Sequence, residues 1–290
     1  MKLKTIASAL LVSFTLSGCV IHVGHANEAK IELTKMLSLE ASDVREIFVE
    51  NGAGSIDLIG VDGQSEIKVT ANIRTDKPEN YRFSLIQSGD KATLVGKIDQ
   101  GNMNWGSNNA KVDLVISMPS KLALEIDDGS GNITVENVKS SVTIDDGSGS
   151  MVLDNISGDV NIDDGSGNIE VTKVTGNLEV EDGSGSLYVD QVTGDVVIDD
   201  GSGSLEAMNI GGSLDIEDGS GSIVVKHVEG FTKVIDNSGN MVIRNVNNRV
   251  YLEDGSGDIL VENTKGLEVN GSGSGGLSIS EINGPVTLDD

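Results

Sequence analysis

The sequence is short of the residues from which most catalytic and metal centres are built. Its 290 residues hold one Cys, three His and three Pro, and aromatics make up 3%. A single Cys excludes a disulfide framework and a cysteine zinc site. Three His leave few groups for metal binding or acid–base work near neutral pH. Positive charge is scarce as well, with 20 Lys and Arg against 46 Asp and Glu, a net charge of −26. Nucleic-acid phosphates attract Lys and Arg, so this balance argues against a nucleic-acid partner. The 37% hydrophobic share is low for a packed enzyme and high for a disordered chain. Glycine is plentiful at 37 residues, yet far short of the one-in-three of a collagen triplet.

The N-terminus reads Met1-Lys2-Leu3-Lys4, then an apolar stretch from Ile6 to Leu16, then Ser17-Gly18-Cys19. A basic start, a short apolar run and small residues before a cut site predict a secretory signal over residues 1–18. The run is too short for a permanent transmembrane helix. Leu16-Ser17-Gly18-Cys19 resembles the bacterial lipobox, which implies cleavage before Cys19 and its lipidation. Multiple acyl chains would then anchor the protein, at ~0.8 kcal/mol per buried CH₂. Val20, a non-Asp residue after the Cys, points to the outer membrane under enteric-type sorting. Loss of Lys2 and Lys4 would leave 18 bases against 46 acids. His22 and His25 stand beside the anchor, with no third ligand near, and read as part of a polar tether. Residues 19–44 are expected to be this tether and a lead-in.

Asp-Gly-Ser-Gly begins at Asp128, Asp146, Asp164, Asp182, Asp200, Asp218 and Asp254. Every interval is 18 or a multiple of 18. The copy at 236 reads Asp236-Asn237-Ser238-Gly239, and one at 272 has drifted to Ser272-Gly273-Ser274-Gly275. Asn tolerates positive φ better than other non-glycine residues, so Asn237 predicts a left-handed backbone at the first glycine of each motif. Beneath lies a period of nine. Apolar pairs such as Val142/Ile144, Met151/Leu153, Val160/Ile162 and Ile169/Val171 each show the alternation of a short half-buried strand. A further apolar residue recurs at Val138, Ile156, Val174, Val192, Ile210, Val228, Val246 and Ile282.

Eighteen residues make two strands, two turns and one lap. Stacked laps give two parallel sheets facing each other across a narrow apolar seam, an all-β parallel β-solenoid. Crossover sterics favour a right-handed path. Residues 47–58 carry the same unit, so the solenoid is expected over 45–290. Residues 75–110, with Pro78, Tyr81, Phe83 and Trp105, break register and predict a hairpin-like insertion or cap. The lead-in Ser117-Met118-Pro119-Ser120, followed by Asp-Gly-Ser-Gly-x-hydrophobic-x-hydrophobic units, resembles the bacterial "putative adhesin" family, related to autotransporter adhesin head domains. The resemblance covers roughly 45–290. It implies a β-solenoid on the cell envelope and brings no catalytic motif.

Stacking would place Asp128, Asp146, Asp164, Asp182, Asp200, Asp218, Asp236 and Asp254 in one ladder. Asp127, Asp145, Asp163, Glu181, Asp199, Glu217 and Glu253 would form a second, interrupted by Ile235. Neighbouring charges ~4.8 Å apart repel by roughly 1 kcal/mol in water and several at an effective dielectric of 20. Two readings offset this. In one, each Asp of the first ladder accepts N–H groups from the Ser and Gly of its own turn. In the other, the ladder binds divalent cations, calcium above all, which takes six to eight oxygens. The nonapeptide calcium β-roll also has 18-residue coils, but there the Asp follows the glycines; here it precedes them.

Residues 127–222 hold 21 acids against Lys139 and Lys173, whereas 223–265 hold six acids against five bases. The outward stripe Val224, Val242 and Leu260, with Phe231 and Tyr251, lies in the second stretch and predicts contact with a protein or glycan partner. Nothing that caps the stack is evident at its C-terminal end, which leaves solenoid edges for self-association. The expectation is a non-enzymatic, adhesin-like envelope lipoprotein. The alternatives are a cation-binding repeat module and, least favoured, a polysaccharide-acting β-helix enzyme. His227, the one His of the repeats, sits at the turn position of Asn137 and Asn155 and reads as a surface replacement.

Overall fold

The computed structural model describes residues 20–22, 31–99 and 109–289. Every element among them is a strand. The strands form one 14-stranded and one 13-stranded sheet, which contribute to a single apolar core. From Ala123 to Ile282 the chain winds through nine successive laps, each placing one strand in either sheet. Cα partners are 18 residues apart over most of this run: Val142 pairs with Val160, Val160 with Leu178, Leu178 with Val196. The parallel β-solenoid expected from the repeat is the observed fold.

The alternation of the sequence is read directly into burial. Strands such as Val142–Asp146 and Val160–Asp164 alternate buried and exposed residues. The inward Ile144, Ile162, Val180 and Ile198 are at most 1% exposed. The extra apolar residue of each lap, from Val138 through Val246, is also buried, and Thr264 takes its place in the lap after Val246. Each such burial contributes roughly 1.5–3 kcal/mol.

The N-terminal part does not follow chain order. Its elements are β1 (Val20–His22), β2 (Ile31–Glu40), β3 (Glu46–Asn51), β4 (Ile56–Val61), β5 (Glu66–Thr75), β6 (Tyr81–Ser88), β7 (Lys91–Ile98) and β8 (Lys111–Pro119). They are followed by β9 (Ala123–Asp128) and β10 (Ile133–Glu136). Strands β3 and β4 make a lap that stacks directly on β9 and β10. Strands β7 and β8, later in sequence, pair parallel with the other side of β3 and β4. Strand β7 of the irregular segment and β8 just after it therefore supply a lap beneath the first one. Antiparallel strands close that end: β6 lies outside β7, while β5, β2 and β1 follow β8 in the other sheet. Strand β2 also touches β6 across the two sheets. Residues 31–40, expected as lead-in, thus belong to this end block.

Candidate functional site

The acidic edge is built by the turn that joins the two strands of a lap. In each lap the alternation that points Ile144 inward also points Asp146 inward and Asp145 out. Register then stacks Asp128, Asp146, Asp164, Asp182, Asp200, Asp218, Asp236 and Asp254 in one column. All eight are at most 4% exposed. The second ladder, Asp127, Asp145, Asp163, Glu181, Asp199, Glu217 and Glu253, is exposed on the other side of the same strands. The two ladders lie on opposite faces of the same strands.

Within the inner column the chemistry repeats. From Asp146 to Asp254, Oδ1 accepts the backbone N–H of the Ser two residues on, at 2.9–3.2 Å. This is the Asx-turn bond expected from the motif. The other oxygen, Oδ2, is buried without a hydrogen-bond partner in each of these residues. Burial pushes the carboxyls up, to about 7 for Asp146 and about 6 for Asp128, Asp182, Asp200 and Asp218. Asp164, Asp236 and Asp254 are also raised, again first by burial. Like-charged neighbours add to the rise, as Asp128 does for Asp146. Among the described residues no three His, Cys, Asp or Glu side chains are grouped as a metal site would require. A lap offers one free carboxylate oxygen, well below the six to eight of calcium.

Both ends of the column are uncharged. Register places Asn51 of β3 next to Asp128 and Gly96 of β7 beyond it. Asn51 is 1% exposed and its Nδ2 donates to the Gly54 carbonyl at 3.2 Å. At the far end, the Asp254 N–H donates to the carbonyl of Gly271, where a further Asp would stand. Sequence reasoning misses Asn51, although Asn51-Gly52-Ala53-Gly54 is a variant of the turn motif and is the available signal.

The left-handed position differs from the one expected. Asn237 and the first glycines of the motif do not have positive φ; the second glycine does, as at Gly149 with φ 146°. A Cβ on Gly149 would collide with the carbonyl of Gly131 in the lap below. The left-handed non-glycine residues form their own column in the opposite turn: Asn137, Asn155, Lys173, Gln191, Asn209, His227, Asn245, Asn263 and Glu281, with φ of 54–61°. Five of these nine are Asn, the residue that bears this conformation best. Asn155 Nδ2 donates to Asn137 Oδ1 at 2.6 Å, and Asn263 Nδ2 to Asn245 Oδ1 at 2.8 Å. His227 is exposed beside Asn245 at 3.2 Å, on this column.

The apolar residues of the C-terminal laps divide between the two sheets. Val224, Val242 and Leu260 are lateral neighbours on one face and half-buried by one another and their flanks. Tyr251 lies on the other sheet beside Lys233, and Phe231, 41% exposed, precedes that sheet's strand Thr232–Asp236. The five therefore do not form one patch. Four of the five cations of this region are paired: Lys226 with Glu206 at 2.9 Å, Arg244 with Glu262 at 3.2 Å, Lys233 with Asp215 and Glu217 at 3.1 and 2.8 Å, and Arg249 with Glu268. The most exposed apolar residues, Met36 on β2 and Ile86 on β6, lie at the opposite end of the rod, and Val286 and Leu288 are exposed at the C-terminal end. Cys19 and His25 lie outside the described residues, as does the side chain of His22.

This geometry defines a parallel β-solenoid with a closed seam and repeated turns. The model of the Toastrack DUF4097 family matches residues 44–234, and the chain belongs to that family. No curated protein matches the sequence. Among solved structures it is similar to a "putative lipid binding protein" from Parabacteroides distasonis ATCC 8503. Identity is 16% over 89% of this chain and 97% of that one, with a TM-score of 0.43. It is also similar to a "putative adhesin" from Bacteroides fragilis NCTC 9343, at 12% identity over 88% and 97% of the two chains and a TM-score of 0.34. A "putative cell adhesion protein" from Clostridium sporogenes ATCC 15579 shares 11% identity over 85% and 98%, with a TM-score of 0.33.

Proposed function

We propose that the protein is a non-enzymatic, adhesin-like envelope lipoprotein: a stiff acidic rod held to the outer membrane through Cys19 that meets a protein or glycan partner through its outward sheet faces. One observation carries this reading. Along the repeats the turn aspartate and its bond to the following serine recur lap after lap, while the seam is filled with apolar side chains. Catalysis needs a singular convergence of groups, whereas a repeated surface suits extended contact. The middle laps supply charge that keeps the rod solvated. The C-terminal laps combine the Val224, Val242 and Leu260 face with balanced, paired charge, a surface that loses less solvation on contact.

Protease treatment of intact cells, followed by detection of the 120–290 segment, tests the setting. Cleavage on intact cells is the expected result and favours adhesion at the surface. Protection until lysis would confine the rod to the periplasm and end the surface reading. Because the apolar residues sit on two sheets, Val242→Ser with Leu260→Ser and Phe231→Ala are tested separately for binding to host or matrix glycans and proteins. Loss with the first pair alone would assign contact to the Val224 face. No change in either variant would remove these laps as the contact site.

A further inference from the structure

We propose that the inner aspartate column is a proton-binding site: the folded solenoid holds protons on these carboxyl groups near neutral pH, so that mild acid tightens the rod and alkali loosens it. The proposal stands first on geometry. Eight carboxyl groups share one register position, each at most 4% exposed. From Asp146 to Asp254 one oxygen of each is tied to its own turn, and the other is buried with no partner. Stacked strands are ~4.8 Å apart, so each carboxylate inside the column would face two like charges at that distance, and each end one would face one, with no bulk water between them.

The residues around the column point the same way. The charged groups that act on it are its own members and the outward Asp127, Asp163 and Asp199, all of the same sign. The chain itself fills the equivalent position of β3 with Asn51, the neutral isostere of a protonated Asp, and ends the column with Gly271. A proton neutralises the site without needing room, whereas the described residues group no three His, Cys, Asp or Glu side chains to hold a metal ion.

The raised carboxyls give the sign and the window. Each folded value lies above the ordinary 3.8, at about 6 to about 7 where the rise is large. The folded state then binds more protons than the unfolded chain between those values. Stabilisation by the column is complete below 3.8 and is lost as pH rises through about 6 to 7.

The test is thermal unfolding of the protein at pH 5 and pH 8 with a chelator present, together with infrared spectra of the folded state at pH 6. The wild type is expected to melt at least about 5 °C higher at pH 5 than at pH 8. It should also show the carbonyl stretch of protonated carboxyl groups. The triple variant Asp164→Asn, Asp182→Asn, Asp200→Asn should melt higher than wild type at pH 8, shrink the pH difference and weaken that band. The outer triple variant Asp163→Asn, Glu181→Gln, Asp199→Asn should leave the band in place and shrink the pH difference less. A midpoint that rises from pH 5 to pH 8 overturns the proposal. So does an inner variant whose pH difference is undiminished. If the inner variant does not fold, absence of the protonated band from the wild type at pH 6 is enough to overturn it. Millimolar calcium added at pH 8 without chelator separates the remaining case. A rise in midpoint seen in the wild type and lost in the inner variant would make the column a metal site and overturn the proton reading.

Discussion

The regular laps and the N-terminal block solve the same stacking problem with different chemistry. Residues 31–122 hold 13 acids and 10 bases, whereas residues 127–222 hold 21 acids and two bases. The block ties its strands with ion pairs, such as Lys91 to Glu46 and Glu125 at 2.7 Å and Lys97 to Glu50 at 2.5 Å. It also folds antiparallel strands over the end of the stack. The laps of residues 127–222 have almost no cations to use. They rely on glycine turns, inward apolar pairs and side-chain-to-backbone bonds repeated every 18 residues, such as Asn177 N–H to Asp159 Oδ1 at 2.9 Å. Uniform turns let laps be added indefinitely, while an end must be made from something irregular.

The difference is sharpest at glycine. Gly167→Ala in a lap would drive a Cβ into the carbonyl of Gly149 and is expected to cost more than about 4 kcal/mol or abolish folding. Gly63→Ala in the block, with φ 74° and open space around it, should cost only about 1–2 kcal/mol. Chemical denaturation of both variants checks this, and equal losses would break the comparison. Next in size is the seam. Leu187→Ala, at a residue 1% exposed, should cost about 2–5 kcal/mol. Met36→Ala, at a residue 61% exposed, should shift the denaturation midpoint by less than about 0.5 kcal/mol equivalent.

The left-handed column gives a smaller and signed effect. Asn155→Ala should destabilise by about 1–2 kcal/mol, since Ala bears φ 61° poorly and the bond to Asn137 is lost. Gln191→Asn, at the same turn two laps on, should stabilise by a few tenths of a kcal/mol. A loss on Gln191→Asn in thermal melts would show that side-chain bonding, not backbone preference, governs this column. The smallest effect belongs to the ion pairs of the block. Lys97→Met should cost at most about 1 kcal/mol, because both partners remain partly solvated. That loss should fall further in high salt.

Most of the coil is legible in the amino-acid order. The 18-residue spacing of Asp128 through Asp254 reports a lap, and alternating pairs such as Val160/Ile162 report which face is buried, because a strand turns its side chains with a period of two. The Asp-Gly-Ser-Gly turn, with the Asp bonding its own Ser, is equally readable as local chemistry. The left-handed residue is misplaced when the single Asn at 237 outweighs the Asn run at 137, 155, 209, 245 and 263. Asn237 does not have positive φ, whereas the Asn run marks where the backbone turns left-handed. The apolar residues 224, 231, 242, 251 and 260 are close in sequence but not on one surface. The nine-residue alternation of the two faces sets Val224, Val242 and Leu260 on one sheet and Tyr251 on the other, as the register has them.

The length of a lap, its inward residues and its turn chemistry follow from interactions within a few residues. They repeat without reference to the rest of the chain, and so the order of amino acids is enough to specify them. Long-range packing, in contrast, chose which edge of the first lap receives β7 and β8 and how β2, β5 and β6 close that end. Either edge of β3 and β4 offers the same unpaired backbone groups, and the choice rests on contacts between segments far apart in the chain. Packing also sets the state of the inner aspartates. An Asp before a glycine turn is an ordinary surface residue in one lap. It becomes a buried column only when eight laps stack and each excludes water from the next.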